Sequence, residues 1–287
     1  MWKIIAAAGA AAAGCCLCSF YERKNFVTDI YELTSEKVTR ERTFVFLSDL
    51  HDNTFGQGQR KLLEAIDKVS PCAVLIGGDM MVVKKRADLE TALFLVGKLA
   101  EQYPVYYGNG NHESRMDRKR YLYGDKYDTF VSELKKRGVC HLSDKSAEFD
   151  QEVRISGLDI QRKYYDKRIP GDKMDVSYID RQLGKASKDK YQILLAHSPL
   201  FYKTYGAWGA DLTLCGHFHG GTIRIPGLGG LMTPQLHFFQ ESCGGHLKAA
   251  GKDVVVSRGL GTHSINVRIN NQAELVAVKI KPRNVQL

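Results

Sequence analysis

The chain has 287 residues, 44% hydrophobic and 25% charged, enough for one large domain with a sizeable core and unlike a disordered or low-complexity protein. Its formal net charge of +9 favours anionic partners (nucleic acid, lipid headgroups or phosphorylated small molecules) without choosing among them. Seven cysteines, with Cys15, Cys16 and Cys18 close together and the rest scattered singly, argue against a disulfide framework and against a paired-cysteine zinc knuckle.

Residues Ile4 to Phe20 form an uncharged, Ala-rich run preceded by Lys3 and closed by Glu22-Arg23-Lys24. A run of about 17 residues is at the short end of what spans a bilayer and is long for a signal-peptide core. Residues 1–22 are therefore read as a membrane anchor. The alternatives are a cleaved signal, including a lipoprotein form acylated at Cys15, and a buried N-terminal helix. Lys3 argues for an inward N-terminus and Arg23, Lys24, Lys37 and Arg40 for an inward body, so sidedness stays open.

The folded domain is expected over 40–287, after a short polar stretch. Thr43-Phe44-Val45-Phe46-Leu47 reads as a strand ending at Ser48-Asp49-Leu50-His51-Asp52. Leu62, Leu63, Ile66 and Val69 then share a helical face. A second apolar run, residues 72–76, ends in Gly77-Gly78-Asp79. A second helix carries Leu89, Leu93, Val96 and Leu99, and a third run, residues 104–107, ends in Gly108-Asn109-Gly110-Asn111-His112-Glu113. This alternation fits βαβ units in a buried α/β sheet, whose ligand sites lie beyond the carboxyl ends of the strands.

Downstream, residues 128–137 read as a helix and 153–158 as a strand. Gln192-Ile193-Leu194-Leu195 leads to His197, and Asp211-Leu212-Thr213-Leu214-Cys215 leads to Gly216-His217-Phe218-His219. Residues 253–257, 266–269 and 274–280 read as further strands.

Five strand ends thus present Asp49 and His51, Asp79, Asn111 and His112, His197, and His217 and His219. Carboxylate, imidazole and carboxamide suit two divalent transition ions (Mn, Fe, Zn or Co, with Mn favoured). If the backbone stays extended at Asp49-x-His51 and His217-x-His219, each pair projects to one side and Leu50 and Phe218 point into the core. Each element alone is weak, since Gly-Asp after a strand is commonly just a turn. Their order, each closing an apolar run, is the specific signal.

The five blocks resemble the calcineurin-like metallophosphoesterase superfamily, whose pattern is Asp-x-His, Gly-Asp, Gly-Asn-His-Asp/Glu, a later His and Gly-His-x-His. With the N-terminal apolar segment and Ser257-Arg258-Gly259-Leu260-Gly261, the chain is most similar to a membrane-anchored bacterial branch. The resemblance implies a four-layer α-β-β-α sandwich of two mixed sheets flanked by helices. It implies one ion on Asp49, His51 and His219 and another on Asn111, His197 and His217, with Asp79 bridging. Attack by a hydroxide shared between the ions would cleave a phosphoester or pyrophosphate bond. His112 would protonate the leaving oxygen or hold a phosphate oxygen, and Asp52 and Glu113 would either orient histidines or stand as solvated loop carboxylates.

Arg115, Arg118, Lys119 and Arg120 follow His112, and Arg162, Lys163, Lys167 and Arg168 surround Tyr164 and Tyr165. Arg115 is the substrate-binding candidate, against a solvated charged face. A lipid-linked substrate, of the kind taken by the similar UDP-2,3-diacylglucosamine pyrophosphatases, is the first expectation. A broad phosphodiesterase or phosphomonoesterase is the second, and an inactive binding scaffold or a single-zinc structural protein stands outside both. A specific nucleic-acid partner is not expected, because no binding module is appended. A loop over Gly220 to Gly245 is a candidate cover for the site. Oligomeric state is not legible.

Overall fold

Twenty-three mostly small, apolar residues at the N-terminus form one continuous helix, α1 (Trp2–Lys24). The computed structural model describes residues 1–84, 87–165, 173–233, 238–262 and 265–283. Alanine is the best helix former, and apolar side chains on every side leave α1 without a polar face. Trp2, Ile5, Leu17, Phe20 and Tyr21 are exposed, and only 6% of the stretch Ile5–Lys24 is buried. By length and composition α1 suffices to cross a membrane.

In chain order there follow β1 (Phe26–Ser35), β2 (Arg42–Leu47), α2 (Arg60–Val69), β3 (Ala73–Ile76), α3 (Glu90–Ala100), β4 (Val105–Gly108), α4 (Asn111–Arg118), α5 (Arg120–Tyr123) and α6 (Lys126–Lys136). Next come β5 (Cys140–Leu142), β6 (Lys145–Glu148), β7 (Val153–Leu158), α7 (Val176–Leu183), β8 (Tyr191–Ala196), α8 (Tyr202–Trp208) and β9 (Leu212–Cys215). The short β10 (Arg224–Ile225) and β11 (Gly229–Gly230) precede β12 (Gly245–Ala249), β13 (Lys252–Val256) and β14 (Ala273–Pro282).

Two six-stranded mixed sheets result, in the orders β1-β14-β2-β3-β4-β5 and β12-β13-β9-β8-β7-β6. β2 to β5 are parallel, as the βαβ reading requires, and β14 runs antiparallel to β2. β13, β9, β8 and β7 are parallel, with antiparallel edges. Phe44, Phe46, Leu75, Ile193, Leu195, Leu214 and Val276 fill the space between the sheets. Leu62, Ile66, Leu95, Leu99 and Phe130 bury the outer face of the first sheet under α2, α3 and α6, and Ile179, Tyr205 and Trp208 bury that of the second under α7 and α8. Each such side chain contributes roughly 1.5–3 kcal/mol by leaving water. The result is the four-layer α-β-β-α sandwich.

Two expectations are corrected. The stretch before residue 40 is not a polar connection. It is the edge strand β1, paired in parallel with β14 from Phe26↔Ala273 to Ser35↔Pro282, so the first sheet begins upstream of the expected boundary. Its charged residues Asp29 and Glu32 suit an edge. Residues 266–269 are not a strand, because Arg268 turns fully inward and donates to the carbonyls of Arg258, Gly259, Gly261 and Asn271. Ile269 makes an isolated bridge to Ile223.

Candidate metal centre

The carboxyl ends of β2, β3, β4, β8 and β9 converge where the two sheets meet, and each delivers its polar cluster there. Asp49, His51, Asp79, Asn111, His112, His197, His217 and His219 are all buried.

Convergence does not arise from extended backbone, as the sequence reading supposed. Asp49 (φ 54°), His51 (φ 47°), Asp79 (φ 54°), His217 (φ 68°) and His219 (φ 48°) are all left-handed. Such a conformation costs a non-glycine residue about 1–2 kcal/mol, and it persists where surrounding bonds over-determine it. Those bonds are present. Asp49 N donates to Gly78 O (3.0 Å), His51 N to Asp79 O (3.2 Å), Gly261 N to Asp49 O (2.6 Å) and His217 N to Asp49 Oδ2 (2.9 Å). Leu50 and Phe218 are buried between the paired ligands. Gly78 and Gly110 pack backbone to backbone: a Cβ on Gly78 would lie 1.9 Å from Gly110 N.

The side chains form two triads that could each hold an ion: Asp49, His51 and His219, and Asp79, His197 and His217. In the first, His51 Nε2 and His219 Nε2 lie 3.3 Å apart, and 3.6 and 3.5 Å from Asp49 Oδ1. Ligand atoms about 2.1 Å from one four-coordinate ion lie about 3.4 Å apart, so these spacings fit a shared cation. In the second, His197 Nε2 lies 3.2 Å from Asp79 Oδ2, yet neither atom is in hydrogen-bond alignment. Asp79 Oδ2 is also 3.9 Å from His51 Nε2, which places it between the triads.

The polar atoms that face this centre support the fit. Asp49 Oδ1, Asp79 Oδ2, Asn111 Oδ1 and His197 Nε2 are buried and have no hydrogen-bond partner among the described residues. Leaving four such atoms unpaired would cost several kcal/mol, which two divalent ions would relieve.

Ring orientation separates ligands from donor. His197 Nδ1 donates to Gly77 O (2.7 Å) and His219 Nδ1 to Gly261 O (3.1 Å), so in the neutral rings each Nε2 presents a lone pair. His112 is reversed: its Nδ1 accepts from Val83 N (2.6 Å), which leaves the proton on Nε2, 3.9 Å from Asp79 Oδ2. His112 also clusters with His51 and Asp79, and in this tautomer it offers them an N–H where His197 and His219 offer a lone pair.

Burial pushes the Asp49 and Asp79 carboxyls up, but the surrounding imidazoles outweigh it and hold both well below the usual range. Burial opposes a charge on His197, yet Asp79 and Asp49 raise it to about 10. Burial holds His219 down at about 4 and keeps His217 neutral as well. The centre thus stabilises positive charge, and a proton competes there with metal.

Glu113 and Asp52 do not orient histidines. Glu113, fully buried, accepts from Asp79 N, Met80 N, Gly110 N and the Tyr107 hydroxyl, and so clamps the β3 and β4 turns together. Asp52 accepts from Val82 N. Arg115 donates to Val83 O (2.7 Å), steadying the residue that fixes His112. Tyr165 packs edge-on against His217, 5.1 Å between ring centres. Lys167 and Arg168 lie outside the described residues, as do 234–237 of the Gly220–Gly245 loop.

The sequence reading missed the structural support behind His219. Asn271 Nδ2 donates to His219 O (2.7 Å), and Arg268 binds the Gly261 carbonyl that His219 Nδ1 also reaches. The available signal was a lone Arg between Val267 and Ile269.

A two-sheet sandwich whose strand ends gather carboxylates, imidazoles and a carboxamide around space for two cations defines a dinuclear metallohydrolase. The chain belongs to the calcineurin-like phosphoesterase family, whose sequence profile matches residues 42–221. It is 25% identical over 252 residues to the uncharacterized protein YpbG of Bacillus subtilis (strain 168), covering 86% of this chain and 84% of the relative. Over 259 residues it is 26% identical to an uncharacterized metallophosphoesterase of Aquifex aeolicus (strain VF5), covering 88% and 90%. The phosphodiesterase YaeI of Escherichia coli (strain K12) is 24% identical over 241 residues, covering 82% and 81%. Family and site together make this chain a metal-dependent phosphoesterase.

Proposed function

We propose that the protein hydrolyses a phosphoester or pyrophosphate bond of an amphiphilic, lipid-linked substrate at a membrane surface to which α1 anchors it. The observation that carries the chemistry is that Asp49 Oδ1, Asp79 Oδ2 and His197 Nε2, buried with both carboxylate oxygens within 4 Å of the imidazole nitrogen, have no hydrogen-bond partner among the described residues. Asn111 Oδ1 is likewise buried and unpartnered among them. In this reading Asp49, His51 and His219 hold one ion, Asn111, His197 and His217 the other, and Asp79 lies between. A pair of divalent ions bound there supplies Lewis-acid polarisation of the phosphoryl group and acidification of water.

The protein's own residues complete the reaction. His112 directs its Nε2–H at the leaving oxygen, and its ring is held by Val83 N. Arg118, exposed on α4, draws in the anionic substrate, and half-buried Arg115, bonded to Val83 O, adds its charge from the same helix. The location is supported by the apolar surface of α1 and by Arg23 and Lys24 at its end.

A second reading, a broad-specificity phosphodiesterase, is favoured by the similarity to YaeI. Rates of the detergent-solubilised full chain on a nucleotide-linked glycolipid, a chromogenic phosphodiester and a phosphomonoester decide between them. A preference for the glycolipid supports the first reading. Equal kcat/KM for all three supports the second. Full activity in strong chelator refutes both.

A further inference from the structure

A helix that only tethers a domain needs no bond to it beyond the chain itself. α1 behaves otherwise in its last two turns. Ser19, 6% exposed on a helix that is otherwise mostly open, accepts from Arg268 N at 3.1 Å. Glu22 Oε2 accepts from Asn271 N at 2.8 Å, and Arg23 O accepts from Asn53 Nδ2 at 3.1 Å.

All three partners lead to the same triad. Arg268 Nη2 donates to Gly261 O (2.9 Å), the carbonyl that also receives His219 Nδ1. Asn271 Nδ2 donates to His219 O (2.7 Å), so ring and backbone of His219 are both held by residues that α1 holds. Asn53 bridges Arg23 O to Leu260 O (2.9 Å) at the end of the Asp49–His51 turn. The second triad is oriented from within the body instead, by Gly77 O on His197 and by Glu113 on the backbone of Asp79.

We propose that the last two turns of α1 are a positioning element of the metal centre, in which Ser19 and Glu22, through Arg268 and Asn271, hold His219 in ligating orientation. The proposal rests on the reading of Asp49, His51 and His219 as the ligands of one ion. It makes the anchor part of the enzyme and fixes the distance from helix end to site. A cavity of about 190 Å³, lined among others by Arg23, Lys24, His51, Asn53 and Arg268, lies at this junction.

The test uses the full chain in detergent, stripped of metal and titrated with Co²⁺ while its visible d–d absorption is followed. Wild type is expected to take up two equivalents. Glu22→Leu combined with Ser19→Val is expected to weaken one equivalent about 10–100-fold, as loss of a ligand's supporting partners does, and to leave the other unchanged. Glu22→Gln retains an acceptor for Asn271 N and should restore wild-type binding and spectrum. Ser19→Ala alone, a milder change, should alter the d–d band of the same equivalent if the double variant does not fold. Two unaltered equivalents in the folded variants, or equal weakening of both, overturn the proposal. A wild-type chain that takes up fewer than two ions refutes the dinuclear reading itself.

Discussion

The two triads use the same chemistry but are steadied in different ways. Asp49, His51 and His219 all sit on left-handed backbone, steadied by Gly261, Arg268 and Asn271 and by the end of α1. In the second triad His197 follows the end of β8 and Asn111 opens α4, while Asp79 and His217 share the left-handed conformation of the first triad. The turns of the second triad are locked by one buried carboxylate, Glu113. Both subsites carry left-handed residues and draw on both sheets, but the first is steadied by the C-terminal loop and α1 and the second by the Glu113 clamp. A cation held by the first therefore depends on the C-terminal loop and on the anchor, and one held by the second depends on the β3–β4 junction.

The largest effect is expected where the subsites join. Asp79→Asn removes the carboxylate charge between the triads, and the loss should reach both. Metal analysis should show both ions weakened and turnover of a chromogenic phosphodiester should vanish. Retention of either ion at wild-type affinity would show that Asp79 serves only one subsite.

Next in size is His112→Ala. The ring faces the centre with N–H, so its loss should cost about 10²–10⁴ in kcat while both ions stay bound. The cost should be largest for an alkyl leaving group and small for p-nitrophenolate, which needs no proton. An equal cost for both would mean that His112 holds a phosphoryl oxygen and does not serve the leaving group.

How much of this was legible in the sequence follows from the same comparison. Ligand types are limited by chemistry, and each ends an apolar run, so the constellation and a βαβ sheet can be read from residues and spacing, whereas the two-sheet sandwich comes from the family resemblance. The left-handed turns cannot, since no glycine marks Asp49 or His51 and the bonds that enforce their φ come from Gly78, Asp79 and Gly261. β1 was hidden by its charges, because an edge strand tolerates Asp29 and Glu32 that a central strand would not. Residues 266–269 read as a strand, because the partners of Arg268 are backbone carbonyls brought together only by folding.

The clamp of the second subsite gives a smaller effect. Glu113→Gln places an amide against the N–H groups of Asp79, Met80 and Gly110 and leaves at least one unpaired. The expected cost is about 3 kcal/mol in urea unfolding, with weaker binding of the second ion and little change at the first. Equal weakening of both would erase the distinction drawn between the subsites.

The smallest effect lies behind that clamp. Asp159 accepts from Asn109 Nδ2 (2.9 Å), beside the Asn111 turn, and its own N–H donates to Asp144 Oδ1 (2.8 Å). Burial raises the Asp144 carboxyl from 3.8 to about 6. A folded-state value above the unfolded one means that the contribution to stability is full below pH 3.8 and is lost as pH rises through about 6. At pH 7 the ionised group therefore opposes folding. Asp144→Asn keeps the acceptor for Asp159 N, suits the left-handed φ of 49°, and lets the Gln182 amide turn to accept the new N–H. It should stabilise the protein at pH 7 by about 1 kcal/mol, allowing for partial solvent screening, and by nothing at pH 3.5. Urea midpoints at the two values check it. A gain that does not change with pH would mean that backbone preference, and not ionisation, governs this outer layer of the second subsite.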